Sequence, residues 1–371
     1  VSLFADIAPV AEPRRRDRGW IGWGLVFLAF AIVVVIAFLP STYVIERPGP
    51  VFDTLGTTTV GDEKVPLIEV PGETTYDTSG SLDMLTVSIV GSPDAPPNWL
   101  EIAGAWIDPS QAVVPIDAVY AQGQSLEESN EQGAVEMENS QKEAIAAALH
   151  HLGYEFDSEL TVEQILEESP ADGVLEPGDL IVSVDGEAFA DVSALRGIIA
   201  EHGTGSPAEV TVLRDAKQLT LEVTPVLSDE TTDAAPIIGV ILSSEYDFPF
   251  DVEIQLDNVG GPSAGQMFAL GIIDKLTPGE LTGGESIAGT GTITASGEIG
   301  PIGGIRQKMY GAERAGADYF LAPADNCGEV DGHVPSGLQV FAVTTLDDSL
   351  AVLEAVSDDG DTSDLPTCAP E

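Results

Sequence analysis

The chain is poor in the residues that most often carry chemistry. Among its 371 residues there are two cysteines (Cys327, Cys368), four histidines (His150, His151, His202, His333) and five lysines (Lys64, Lys142, Lys217, Lys275, Lys308). Two cysteines cannot build a metal cage or a multi-disulfide scaffold. Outside the cytoplasm they can pair or stay as free thiols. The histidines offer neither a triad nor a ligand set: His150 and His151 are adjacent and cannot share one helical face, and His202 and His333 sit in polar turns. Acidic runs such as 127–131 and 358–364 lack the spacing of a calcium loop. No Gly-x-x-x-x-Gly-Lys-Ser/Thr phosphate loop occurs. Basic residues number 14 against 62 acidic ones, a net charge of −48, which excludes nucleic acid and anionic lipid surfaces as partners. The acidity suits a solvated domain that stays soluble. No cofactor or metal is expected.

Charge is also missing from one long run. Residues 19–45 carry none, and Trp20–Leu39 is nearly all aliphatic or aromatic. About twenty residues suffice to cross a hydrocarbon core of about 30 Å. Arg14, Arg15, Arg16 and Arg18 precede the run and predict a cytoplasmic amino terminus. A cleaved signal peptide would have a shorter apolar region and a small-residue cleavage site. The expectation is therefore an uncleaved single-pass anchor over 19–39, with a cytoplasmic tail over 1–18 and everything after Pro40 extracytoplasmic. Trp20 and Trp23 read as interfacial anchors.

Beyond the anchor, 67–70 and 82–90 read as strands, and 118–139 as acidic surface loop or weak helix. Ser140-Gln141-Lys142-Glu143 reads as a capping box opening a helix that Gly153 ends. That cap accounts for Ser140, and residues two apart on a helix do not face each other, so Ser140 and Lys142 are no catalytic pair. From 154 to 228 short strands alternate with Gly, Pro and Asp turns, and a hairpin is expected around Asp215-Ala216-Lys217. The string SPADGVLEPGDLIVSVDG resembles the core of a PDZ domain, which implies recognition of extended peptides by strand addition. Leu152-Gly153-Tyr154 lies where a carboxylate loop would fall, but a helix cap explains Gly153 equally well, so no ligand residue is assigned.

After a polar linker, 237–242 and 252–256 read as strands. Gly261-Pro262-Ser263-Ala264-Gly265 then opens an apolar helix, with Pro262 suited to its first turn. A serine there meets free backbone N–H groups and the positive end of the helix dipole. Some forty-five residues later, Gly303-Gly304 turns into a helix over 305–315 that carries Lys308. A lysine in a first turn, buried, loses proton affinity, as a general base working near neutral pH requires.

GPSAG followed by ESIAGTGTITASGEIGPIGGIRQK closely resembles the proteolytic domain of the Lon family, the Ser-Lys peptidases. The resemblance implies Ser263 as nucleophile, Lys308 rather than Arg306 as base, and Thr290 as a residue that helps hold the lysine. It departs from many Lon enzymes in having Gly260, with Asp257 and Asn258 upstream, where an acidic residue directly precedes Gly-Pro-Ser. The absent phosphate loop implies no ATP-driven motor. Anchor, PDZ-like unit and Lon-like domain together resemble the bacterial membrane-anchored, PDZ-containing Lon-like proteases.

The expected organisation is mixed α+β. It comprises a Lon-type amino-terminal part over 40–153 with a capped helix at 140–153, and a PDZ-like unit over 154–228 inserted in or preceding the rest. A proteolytic domain follows over 236–356, then an acidic tail over 357–371. The expected activity is ATP-independent endoproteolysis of unfolded or exported proteins outside the cytoplasm. An inactive, membrane-tethered peptide-binding scaffold is the alternative. The resemblance also implies a homo-oligomer, up to a hexamer.

Overall fold

The structure is a computed structural model that describes residues 19–61, 63–120, 125–166, 169–189, 191–228, 235–256, 259–358, 360 and 362–368. In chain order the elements used below are α1 (Gly19–Ala37), β1 (Tyr43–Asp53), β2 (Ser81–Val90), α2 (Trp99–Ala105), β3 (Ala112–Pro115) and α3 (Leu126–His151). Next come β4 (Ser158–Ile165), β5 (Leu180–Val184), α4 (Val192–His202), β6 (Ala208–Arg214), β7 (Lys217–Val223) and β8 (Val240–Tyr246). Last are α5 (Gly265–Leu276), β9 (Ser286–Gly289), α6 (Ile305–Ala315), β10 (Tyr319–Pro323), β11 (Gln339–Val343) and α7 (Leu346–Ser357).

The expected anchor over 19–39 falls on α1, which ends at Ala37. The side chains at 19–22, 33 and 36 lie outside the described residues, as does the whole of 1–18. Among the described residues no helix is long and apolar enough to cross a membrane. The spanning helix is therefore not established by the fold.

A six-stranded sheet in the order β11-β10-β9-β2-β1-β3 forms the larger unit. Its first half comes from before residue 116 and its second half from after residue 285, joined where β9 runs parallel to β2 with Ile287 opposite Leu82. β1 pairs antiparallel with both β2 and β3. Alternation along the strands feeds two cores. Met84 and Leu321 face α3, α5 and α7, while the neighbouring Leu85 and Phe320 face Ile305, Met309 and Ala312 of α6. The two helices that begin at the glycine-rich motifs thus lie on opposite faces of one sheet. Burial of Gly265–Asp274 along nearly all of α5 explains the apolar run from Met267 to Ile273 within it.

A five-stranded antiparallel sheet in the order β7-β6-β5-β4-β8 forms the second unit, with its own core around Leu160, Val162, Leu195 and Val212. Asp191 caps α4 by accepting from Ala194 N at 2.7 Å. Arg214 donates through two nitrogens to the buried Asp179, at 2.7 and 2.6 Å, tying β6 to the turn before β5. The hairpin turn at Asp215 and Ala216 takes positive φ, as expected of that site. The chain enters and leaves this unit between the two halves of the larger sheet, so the unit is an insertion and not a tandem neighbour.

Three expectations are corrected. The helix expected from 140 starts at 126, where Ser125 caps it and Glu128 completes the box. The similar string at Ser140 and Glu143 lies within the helix, because both side chains bond elsewhere: Ser140 Oγ to Pro262 O, and Glu143 to Ala295 N. The strand expected over 237–242 in the proteolytic part is β8, which pairs with β4 and moves the unit's boundary from 228 to 246. The strand expected over 252–256 is reduced to Glu253–Ile254, paired with Ile68–Glu69. A strand's partner is non-local, so neither assignment is readable from the segment itself.

Cys327 and Cys368 form a disulfide, which fixes the end of the acidic tail to the α6 side of the sheet.

Candidate active site

Ser263 stands in a turn two residues before α5, whose first helical residue is Gly265; Pro262 therefore lies outside the helix and not in its first turn. Gly261 has φ of +87°, which lets the chain double back into the helix. Helix α3 grips this turn from beneath. Gly133 O accepts from Gly261 N at 2.9 Å, and the buried Ser140 donates to Pro262 O at 2.9 Å. A side chain at Gly260 would meet the Gly133 backbone at 3.1 Å. The acidic residue that many Lon enzymes carry at this place would fit only if the α3 backbone gave way by a few tenths of an ångström. Asp257 and Asn258 lie outside the described residues.

Lys308 sits in the first turn of α6, which Gly304 opens in the left-handed region and Gly316 closes in the same way. From the opposite face of the sheet its side chain reaches past the end of β9, where Thr290 and Gly291 follow the last strand residue. Nζ lies 2.6 Å from Ser263 Oγ and donates to Thr290 Oγ1 at 2.8 Å. Thr290 Oγ1 in turn donates to Ser263 O at 2.9 Å, and Gly291 N donates to the same carbonyl at 3.0 Å. The three candidate residues therefore converge. Arg306 turns away, donating to Glu329 O at 3.1 Å.

Lys308 is 2 % exposed, and burial alone draws its pKa from 10.5 down to about 7. Among the described residues no charged group contacts the amine, so an uncharged lysine is the form the site tolerates. A neutral amine has two N–H donors and one lone pair. With one donor held by Thr290, the lone pair can be aimed at the serine hydroxyl. Among the described residues the N–H groups of Ser263, Ala264 and Gly265 have no acceptor, which leaves them available for an oxyanion. A groove of about 450 Å³ runs from Ser263 and Ala264 along Thr86, Val87, Ser88 and Met137. Its residues on β2 lie past the stretch paired with β9, so that strand edge is open next to the serine.

The PDZ-like unit carries an apolar groove that sequence reasoning did not locate. It holds about 350 Å³ between α4 and residues 236–242, lined by Leu195, Ile199, Ile238 and Leu242. The segment first considered, Leu152-Gly153-Tyr154, is the C-terminal cap of α3 and lines none of it. The signal that could have found the groove is Ile238-Gly239-Val240, a glycine of positive φ between apolar residues at the start of an edge strand. Among the described residues no group of three or more His, Cys, Asp or Glu side chains is placed to hold a metal ion. His202 pairs with Asp185 and His150 meets Ala295 O.

Comparison with known proteins agrees with this two-part architecture. Residues 258–355 match the family of the Lon protease (S16) C-terminal proteolytic domain, and residues 127–224 match the PDZ domain family. The second match begins inside α3, which packs on the core of the larger unit, and stops before β8, which completes the five-stranded sheet.

Among curated relatives, Lon protease 1 of Sorangium cellulosum is 43 % identical over 94 residues, 24 % of this chain and 11 % of its own length. The Lon protease of Campylobacter concisus is 28 % identical over 174 residues, 46 % of this chain and 21 % of its own. The chain thus spans only about a tenth to a fifth of these relatives. Among solved structures, the PDZ domain of an SdrC-like protein from Listeria innocua is 23 % identical, covering 23 % of this chain and 92 % of that one, with a TM-score of 0.21.

Proposed function

We propose that this chain is an ATP-independent, membrane-tethered serine endopeptidase that cleaves unfolded or exported protein segments outside the cytoplasm. The observation that carries the reading is the 2.6 Å approach of Lys308 Nζ to Ser263 Oγ, at a lysine whose burial brings its pKa to about 7. In the proposed cycle Ser263 Oγ attacks the scissile carbonyl while its proton passes to Lys308 Nζ. The oxyanion takes the N–H groups at the start of α5. Lys308 then gives the proton to the leaving amine, and water hydrolyses the acyl-serine by the reverse sequence. Substrate backbone would add to the open edge of β2, and peptide segments would add to the edge of β8 in the PDZ groove.

No phosphate loop occurs in the 371 residues, which supports cleavage without nucleotide hydrolysis by this chain. The tether is supported by the charge-free sequence of α1 and by Trp23, Phe27 and Phe30, each about two-thirds exposed. Trp106 and Ile107, 66 % and 84 % exposed at the end of α2, add apolar surface close to where α1 ends, since Pro40 bridges to Asn98. The orientation follows from the arginines before α1. A ring of like chains, up to a hexamer, is part of the proposal.

The test is labelling of the full chain with a fluorophosphonate, mapping of the modified residue by mass spectrometry, and cleavage of an unfolded protein. Labelling at Ser263 and loss of cleavage in Ser263→Ala and Lys308→Ala are expected. Cleavage that survives either substitution overturns the reading. Peptide binding with no cleavage by the parent chain leaves the scaffold instead.

A further inference from the structure

Helix α3 touches both halves of the site. Its Gly133 and Ser140 hold the turn before Ser263, as described above. Three residues beyond Ser140, Glu143 Oε2 accepts from Ala295 N at 2.6 Å; about two helical turns further on, His150 Nδ1 meets Ala295 O at 3.0 Å. Ala295 is fully buried, and lies five residues after Thr290 in the strip that also supplies Gly291 to Ser263 O. The helix therefore fixes the nucleophile turn at one end and the segment leading from the lysine's holder at the other.

Glu143 alone among these contacts also reaches the inserted unit. Its second oxygen, Oε1, accepts from Tyr246 OH at 2.9 Å, and Tyr246 is the last residue of β8. The groups facing Glu143 are Ser244 and Tyr246 from β8, Asp191 at the cap of α4, and Ala295. The neighbouring bond of Lys142 to Glu245 is exposed and adds little. β8 is the edge strand of its sheet and one wall of the apolar groove. A peptide added to that edge would act on the strand that ends at Tyr246. The carboxylate is shared, one oxygen to each unit, so a change in the tyrosine bond changes the hold on Ala295.

We propose that Glu143 is a positioning residue through which the PDZ unit, by way of Tyr246, sets the geometry of the Ser263–Lys308 pair. The inference rests on the peptidase reading above. A small displacement of a reacting pair is enough to matter, since misplacement by about 1 Å can cost about a hundredfold in rate.

The experiment compares the full chain with Tyr246→Phe, Glu143→Gln and the double variant. It measures kcat and KM on a fluorogenic peptide, the pH–rate profile, and the melting temperature. Each single substitution is expected to lower kcat about tenfold with KM within about twofold, and to displace the rising limb of the pH profile. The double variant is expected to be no slower than Glu143→Gln, because the two residues act through one link. Tyr246→Phe removes a single hydroxyl and keeps the test open if Glu143→Gln folds poorly. An unchanged kcat and pH profile in Tyr246→Phe, or losses that multiply in the double variant, overturns the proposal. If Ser263→Ala still cleaves, the peptidase reading has failed instead; if only that variant and Lys308→Ala are inactive, the positioning role alone falls.

Discussion

Gly133 and Gly260 bring two backbones together, closely enough that a side chain at 260 would press on the α3 backbone. A Cβ at 260 would stand 3.1 Å from Gly133, and one at 133 would stand 3.4 Å from Gly260. The contact matters because the next residue, Gly261, donates to Gly133 O and begins the turn that presents Ser263. Gly260→Ala should force the turn away from α3, with an overpacking cost of about 1–3 kcal/mol. Gly260→Asp, which installs the acidic residue many Lon enzymes have, should cost at least as much and restore nothing. Urea unfolding and the rate of fluorophosphonate labelling would check both. Normal stability and labelling in Gly260→Asp would show that the turn can yield.

Lysine 308 sets the pH dependence of both activity and stability. With a folded pKa of about 7, the neutral fraction grows about tenfold per pH unit below that value and levels off above it. The rate of serine labelling should follow that curve. For stability, the unfolded lysine titrates near 10.5, so between about pH 7 and 10.5 the unfolded chain holds more protons. Stability should therefore rise with pH across that window, and the contribution is least favourable below pH 7, where the charged amine is buried. Lys308→Met should remove the slope and be the more stable protein at pH 6, while losing activity. Chemical denaturation at pH 6 and pH 9 for both proteins would decide it. Equal slopes would mean that the amine is hydrated or paired in solution.

Local signals carried most of the site. Helix α6 lies over the residues its sequence marks because Gly304 and Gly316 close both ends in conformations that favour glycine. Ser263 and Lys308 each follow a glycine-rich turn motif, and the resemblance to the Lon family, not spacing alone, singled out Lys308. What was not legible depends on distant partners. Ser125 and Ser140 both begin capping-box strings, and only the positions of Pro262 and Ala295 decide that the second is helix interior. Val240–Tyr246 reads as a short strand in isolation, and its membership in the five-stranded sheet is set by β4, some eighty residues earlier. The role of Gly260 is invisible without Gly133.

The disulfide between Cys327 and Cys368 closes a loop of 41 residues. It also borders the turn before α6. Asn326, next to Cys327, accepts from Ile302 N and donates to Ile302 O, both at 2.9 Å, in the turn that leads into α6. Loop-closure entropy gives about 4 kcal/mol of stabilisation. Cys368→Ser should lower the unfolding free energy by roughly 2–4 kcal/mol. Because Asn326 lies on the retained side of the bridge, activity at low temperature should change little. Parallel melting and labelling assays would separate the two effects; a loss of labelling with an intact fold would show that the bridge holds Lys308 as well.

Thr290 makes two bonds with one hydroxyl, accepting from Lys308 Nζ and donating to Ser263 O. Being wholly buried, it has no water to replace either bond. Thr290→Val keeps the shape and removes both, leaving an amine N–H and a serine carbonyl one partner short, a cost of about 1–3 kcal/mol. The amine would then be free to rotate, and its lone pair would no longer be aimed at Ser263 Oγ. The expected outcome is a fall in kcat of about ten- to a hundredfold with KM little changed. Thr290→Ser keeps the hydroxyl and should recover most of the rate, which a purely steric role for the threonine would not allow. Equal losses in both variants would assign the residue to packing instead.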